Sequence, residues 1–194
     1  MKRQHLVEGV LFVLLVLVGA QTRIWLQDLP NFAPVAGLAL FAGYFFRSWL
    51  LALCLPLSVM AISDLSIGGY DWRMMAVVYS MLAVPVAFRS PLRRYLNLDQ
   101  GGLKSASLAV TGLVGCSLGA SVLFFLTTNF GSWLWFNMYE HTWAGLVQCY
   151  AMAIPFFRHT LCGDLFFAVV LFGSYALAAQ YRLAAQARSV PAAD

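Results

Sequence analysis

The chain has 194 residues, of which 61% are hydrophobic, 15% aromatic and only 10% charged, with a net charge of +4. Soluble domains run at roughly 45–50% apolar and 25% charged, so this composition, with a mean hydropathy of +0.77, excludes a soluble enzyme, a disordered chain and a disulfide-stapled secreted domain. The pattern is that of a single integral membrane domain covering residues 1–194, an all-α bundle.

In chain order, apolar spans are expected at 6–22, 33–46, 50–65, 74–88, 106–128 and 160–181. A full crossing takes about 20 residues, so the shorter runs must tilt or extend past their apolar cores. The first run follows Met1-Lys2-Arg3 and ends in Val18-Gly19-Ala20, like a secretory signal with its cleavage site. Glu8 within it, and the membrane character of everything that follows, favour a retained span. The stretch 143–157, ending near Pro155, is either a seventh span or a re-entrant helix.

Basic residues decide between these. With six spans and both termini cytoplasmic, Lys2, Arg3, Arg47, Arg89, Arg93, Arg94, Lys104, Arg182 and Arg188 lie inside, against Arg23, Arg73 and Arg158 outside. That nine-to-three bias obeys the positive-inside rule. A seventh span weakens it to eight against four, so 143–157 is expected to dip in from outside. The basic connection 89–105 is then a cytoplasmic loop, and the tail 188–194 is expected to fray. The basic excess orients spans, and no nucleic-acid-binding pattern accompanies it. Cys54, Cys116, Cys149 and Cys162 sit in apolar segments without CxxC spacing, the pattern of buried free thiols.

Polar chemistry gathers on the outer side. Asn31, Asp64, Tyr70, Asp71, Trp72, Asn129, Arg158 and Asp164 are the candidate ligand-binding residues. Ionisable groups at membrane depth are costly unless paired or functional, and Arg158 is the expected partner of Asp64 or Asp164, in a pair that serves either structure or ligand. Asn31 and Asn129 either satisfy free backbone groups at span ends or bond a polar ligand. Trp133 and Trp135 suit an interfacial aromatic belt better than a stacking platform. His141 and His159 do not supply the three or four converging ligands that a metal needs, so no metal or other cofactor is expected. Neither a nucleophile elbow nor an HExxH nor a P-loop occurs. The chain is therefore expected to be no enzyme, and any ATP-driven step must come from another chain. Ala36, Ala39 and Gly43 line one face of the second span, and Gly112, Cys116 and Ala120 one face of the fifth. Such small-residue stripes serve either internal packing or docking of a partner.

Several motifs carry a family likeness. Arg23, then Leu29-Pro30-Asn31-Phe32-Ala33-Pro34-Val35, then Gly37–Gly43, then a span closing on Ser63-Asp64-Leu65, resembles the N-terminal half of the S-components of energy-coupling factor vitamin transporters. The stretch Ala153-Ile154-Pro155-Phe156-Phe157-Arg158, followed by Leu161-Cys162-Gly163-Asp164-Leu165, is similar to the start of their sixth helix. The sequence is also similar to a group of bacterial membrane proteins that share the Asn-Phe-x-Pro-Val, Ser-Asp-Leu, Thr-Asn-Phe-Gly and Pro-Phe-Phe-Arg motifs; the likeness runs over 23–173. The resemblance implies a six-helix bundle in the bacterial cytoplasmic membrane that binds a vitamin or related small molecule from outside. It further implies docking on a coupling subunit driven by two ATPases, through Ala36, Ala39 and Gly43. Solitary cobalamin transporters within that family make cobalamin the favoured cargo, although no cysteine lies in the outer segment 66–73 where cobalt would be held. The competing reading is a non-transporting accessory subunit of a larger membrane complex, binding lipid, pigment or protein through the same faces.

Overall fold

The computed structural model describes residues 2–29, 31–96 and 103–189. Pro30, positions 97–102 of the basic connection and the tail 190–194 lie outside the described residues. The described chain is helical throughout, without strands: α1 (Lys2–Trp25), α2 (Val35–Phe45), α3 (Trp49–Ile67), α4 (Trp72–Met81), α5 (Ala83–Ala87), α6 (Arg89–Tyr95), α7 (Leu103–Trp135) and α8 (Trp143–Ser189). α4–α6 form one broken rod, so the bundle has six rods, as expected. Five of them are long and apolar enough to cross a membrane. The prolines explain the breaks in the broken rod. Pro85 and Pro91 have no N–H to give to Met81 and Ala87, so the ladder restarts at Leu82 and Phe88.

α2 is the centre. With 11 residues it is only ~16 Å long, about half the ~30 Å hydrocarbon layer, yet eight of its residues are buried. One core joins Leu38, Ala39 and Ala42 to Leu55 and Val59 of α3 and Val86 of α5. The other joins Leu40 and Phe41 to Leu92, Leu113, Ala168 and Phe172. Close approach is purchased with glycine: a methyl on Gly43 would stand 2.9 Å from the Val86 carbonyl oxygen, and one on Gly37 3.0 Å from the Ala168 nitrogen. Within the small-residue stripe of α2, Ala39 is fully buried and Gly43 faces α5, so both pack inside the bundle, whereas Ala36 is half-buried and borders the open volume at the start of the helix.

The outside of the bundle is oily. Leu65 is 88% exposed and Leu50 71%, as a lipid-facing surface requires. Trp25, Trp72 and Trp143 project where α1 ends and α4 and α8 begin, the position of an interfacial belt. This is an all-α membrane protein.

Residues 143–157 form no separate re-entrant helix. They are the first third of α8, which runs unbroken through Pro155 for 47 residues, ~70 Å. Proline inside a helix removes one ladder bond and crowds one carbonyl, and membrane helices tolerate this where neighbours cover the freed group.

Candidate functional site

The two ends of the bundle differ in kind. At one end α2 stops at Phe46, and two arginines close its free carbonyls. Arg89 donates to Phe46 O and Arg47 O (3.4 and 2.9 Å), and Arg93 to Tyr44 O and Phe46 O (3.0 and 2.7 Å). Arg89 also lies over the Trp49 ring at 4.9 Å. Cations at a helix C-terminus meet the negative end of its dipole.

At the other end lies a cavity of about 590 Å³. Its walls come from the last turn of α1, the 26–33 connection, the first turn of α2, and facing stretches of α3, α4–α5, α7 and α8. Phenyl rings dominate two walls: Phe124 and Phe125 from α7, Phe156 and Phe157 from α8. Phe125 and Phe157 are tilted against each other at 4.4 Å.

Five of the eight expected ligand-binding residues line this cavity: Asn31, Tyr70, Asp71, Asn129 and Asp164. Asn31 sits in the loop ahead of α2 with φ +61°, a left-handed conformation that asparagine bears better than most residues. Beside it, Phe32 packs on Phe167 (5.6 Å) and against Gly163, where a methyl would come within 3.3 Å of the Phe32 Cα. The Asn-Phe and Gly-Asp motifs therefore meet across the bundle. Asp71 caps α4, accepting from the Arg73 and Met74 N–H groups at 2.9 and 3.3 Å. Asn129 does not end a span. It lies inside α7 and donates its side-chain amide to Phe125 O one turn back, at 2.8 Å. The Tyr70 hydroxyl is pushed above its usual value by burial and by the Asp64 carboxylate, with Arg23 opposing.

Asp64 does not line the cavity, but it holds a residue that does. Arg23 donates to Asp64 Oδ1 at 2.5 Å and to Ser63 Oγ at 2.6 Å. Tyr79 donates its hydroxyl to Asp64 Oδ2 at 2.9 Å. Arg23 was the residue to notice in the sequence: a lone cation in the last turn of an apolar span, on the same side as Ser63-Asp64.

Two expectations need correction. Arg158 pairs with neither Asp64 nor Asp164; it is exposed on α8, while Arg23 takes Asp64 and Ser121 of α7 donates to Asp164 Oδ2 at 2.6 Å. Helical pitch explains this: six residues from Asp164, Arg158 points ~120° away around the axis. Trp72 is 70% exposed and lies outside the cavity, in a shallow outer groove with Trp135 and Thr127. Trp133 bonds Glu140 O at 2.9 Å and meets the His141 ring edge-on at 5.4 Å, fastening the α7–α8 turn.

Among the described residues no three His, Cys, Asp or Glu side chains converge as a metal site would require. No cysteine lines the cavity. The cavity can enclose a drug-sized guest, within the ~300–1,000 Å³ usual for small-molecule sites, with apolar walls and few polar groups.

Neither a curated protein nor a solved structure matches the chain. A family model described as "Family of unknown function (DUF6580)" matches residues 3–188, and the chain belongs to that family.

Proposed function

We propose that the protein is the substrate-binding subunit of an uptake system for a small, vitamin-like molecule in the bacterial cytoplasmic membrane. The observation that carries this reading is the cavity of about 590 Å³ at the end of the bundle opposite the arginines. By the positive-inside rule the end with Arg47, Arg89, Arg93 and Arg94 is cytoplasmic, so the cavity serves the outer half of the membrane, where an imported molecule arrives. The resemblance to S-components supports the same assignment. It also supplies the proposed partners, a coupling subunit with its ATPases, because this sequence has no P-loop of its own. Cobalamin gains no support from the cavity wall, so the cargo is proposed only as a small molecule of drug-like size.

The test is native mass spectrometry of the protein extracted gently from membranes, with thermal shift against a vitamin panel. The expected result is a retained or stabilising molecule whose binding is lost when Ala153→Trp fills the cavity. A protein that retains nothing and responds to nothing, or that responds equally in Ala153→Trp, refutes the reading. Recovery of a stable, ligand-free complex with other membrane proteins supports the accessory-subunit reading instead.

A further inference from the structure

The polar groups of the cavity are unequally satisfied, and the imbalance has a sign. Three charged residues line it: Arg23, Asp71 and Asp164. Arg23 is neutralised by Asp64. Asp71 has its Oδ1 engaged by two backbone N–H groups where α4 begins. Asp164 is different. It is only 5% exposed, and among the described residues no cation bonds it. Its one side-chain hydrogen bond is from Ser121, to Oδ2.

Position adds to this. The lining positions of α8 run from Ala153 to Asp164, ~16 Å of helix axis. Asp164 is the last of them, and its partner helix reaches the same depth at Ala120 beside Ser121. The carboxyl group therefore stands at the inner end of the cavity, beyond the phenyl rings of α7 and α8. A carboxylate held out of water in apolar surroundings is strongly unfavourable unless a positive group compensates it. One turn back along α7, beyond the innermost lining residue Ala120, the Ser117 hydroxyl is also buried with no hydrogen-bond partner.

We infer that the cavity recognises an organic cation: a protonated amine or comparable nitrogen cation on an apolar or aromatic body, with its charged head against Asp164. This rests on the small-molecule reading proposed above and names the ligand's chemistry. Ser121 fixes one carboxylate oxygen and leaves the other to receive an N–H donor. The phenyl walls suit such a guest twice, burying its body and presenting ring faces to its charge. An anionic guest would meet Asp164 without a counter-ion, and Arg23 is already engaged.

The experiment uses the full chain in lipid nanodiscs and thermal shift with matched probes: a series of aryl-alkyl amines, the neutral alcohols of the same skeletons, and the corresponding carboxylates. The expected result is at least tenfold tighter binding of the amines than of the alcohols, with that preference collapsing in Asp164→Asn. The ligand-free Asp164→Asn protein should melt at or above the wild-type temperature, because an uncompensated charge has been removed. Equal binding of alcohols and amines, preference for the carboxylates, or an amine preference that survives Asp164→Asn overturns the inference and leaves the small-molecule reading standing. A lowered melting temperature in the variant also overturns it, by revealing a compensating partner. Failure of every probe class overturns the inference too, and the small-molecule reading then stands or falls on the molecule retained in native mass spectrometry.

Discussion

The Arg23–Asp64 pair is the strongest polar link between α1 and α3, and its two halves should not cost the same to remove. The Asp64 side chain is 6% exposed and that of Arg23 18%. Arg23→Met strips the guanidinium from Asp64 and leaves the carboxylate with only the Tyr79 hydroxyl. Orphaning a buried charge in this way costs about 3–5 kcal/mol, and the Tyr79 bond recovers only part of it, so a loss of about 3 kcal/mol is expected. Asp64→Asn leaves the positive member, which keeps Ser63 as an acceptor and some access to water. Its cost should be nearer 1–2 kcal/mol, on the order of one lost charge-assisted hydrogen bond. The double variant Arg23→Met with Asp64→Asn removes both charges and should be more stable than Arg23→Met alone, because no orphan remains. Reversible unfolding in mixed micelles, followed by tryptophan fluorescence, measures all three. About 3 kcal/mol is more than a hundredfold in the folding equilibrium, well outside the error of such titrations. If Arg23→Met falls within the ~0.5 kcal/mol typical of surface substitutions, or if the double variant equals the sum of the singles, the pair does not bind α1 to α3 as described.

Gly43→Ala places a methyl 2.9 Å from the Val86 carbonyl oxygen and should destabilise by about 1–3 kcal/mol, whereas Gly115→Ala meets nothing within 4 Å and should be neutral or stabilising; the same unfolding titration compares them. Tyr70, with its hydroxyl raised above 10.0 by burial and by Asp64, keeps its proton better folded than unfolded. Its stabilising contribution is therefore complete below the ordinary phenol value and disappears as pH rises through the folded one. Ultraviolet titration against Tyr70→Phe should place it above its unfolded value, moved down by Asp64→Asn and further up by Arg23→Met; movement in the opposite directions would show that neither charge acts on it.

Hydropathy locates where a chain prefers lipid, and it served well for α3. There the expected 50–65 lies inside Trp49–Ile67, because Ser48 and Gly68 mark the ends with a side-chain cap and a φ of +101°. It fails where polar residues interrupt the oil without interrupting the helix. The expected span 106–128 continues to Trp135 because Thr128 and Asn129 turn their side chains back on Phe124 O and Phe125 O, leaving the main-chain ladder intact. Arg158 and His159 look like a loop between two apolar runs, but both are exposed residues on a continuous α8. Site residues follow the same logic. Asp64 and Asp164 stand out as acids at span ends, and both are buried. Their partners, Arg23 and Ser121, are 41 and 43 residues distant, and nothing in linear spacing selects them over Arg158. Only the packing of α1 on α3 and of α7 on α8 does.

The cavity and the shortness of α2 have one cause. A central rod of ~16 Å cannot fill a layer of ~30 Å, and the unfilled length must lie at one of its ends. At the C-terminal end Phe46 is fully buried, and Arg89 and Arg93 seize the terminal carbonyls, so that end is closed by protein groups. At the N-terminal end the chain turns through Asn31 and Phe32 instead of continuing as helix, and only Val35 and Ala36 reach the open volume. Surrounding rods long enough to span then enclose what α2 leaves vacant. Non-helical backbone at this depth is tolerable only where protein or a cavity covers it, and the 31–34 segment meets that condition by packing Phe32 on Phe166 and Phe167. The polar end of the cavity next to Asp164 and the loop carrying Asn31 are thus fixed by the same contact, Phe32 against Gly163, one residue from each. A guest held at Asp164 would press on the very segment that stands where helix α2 stops short.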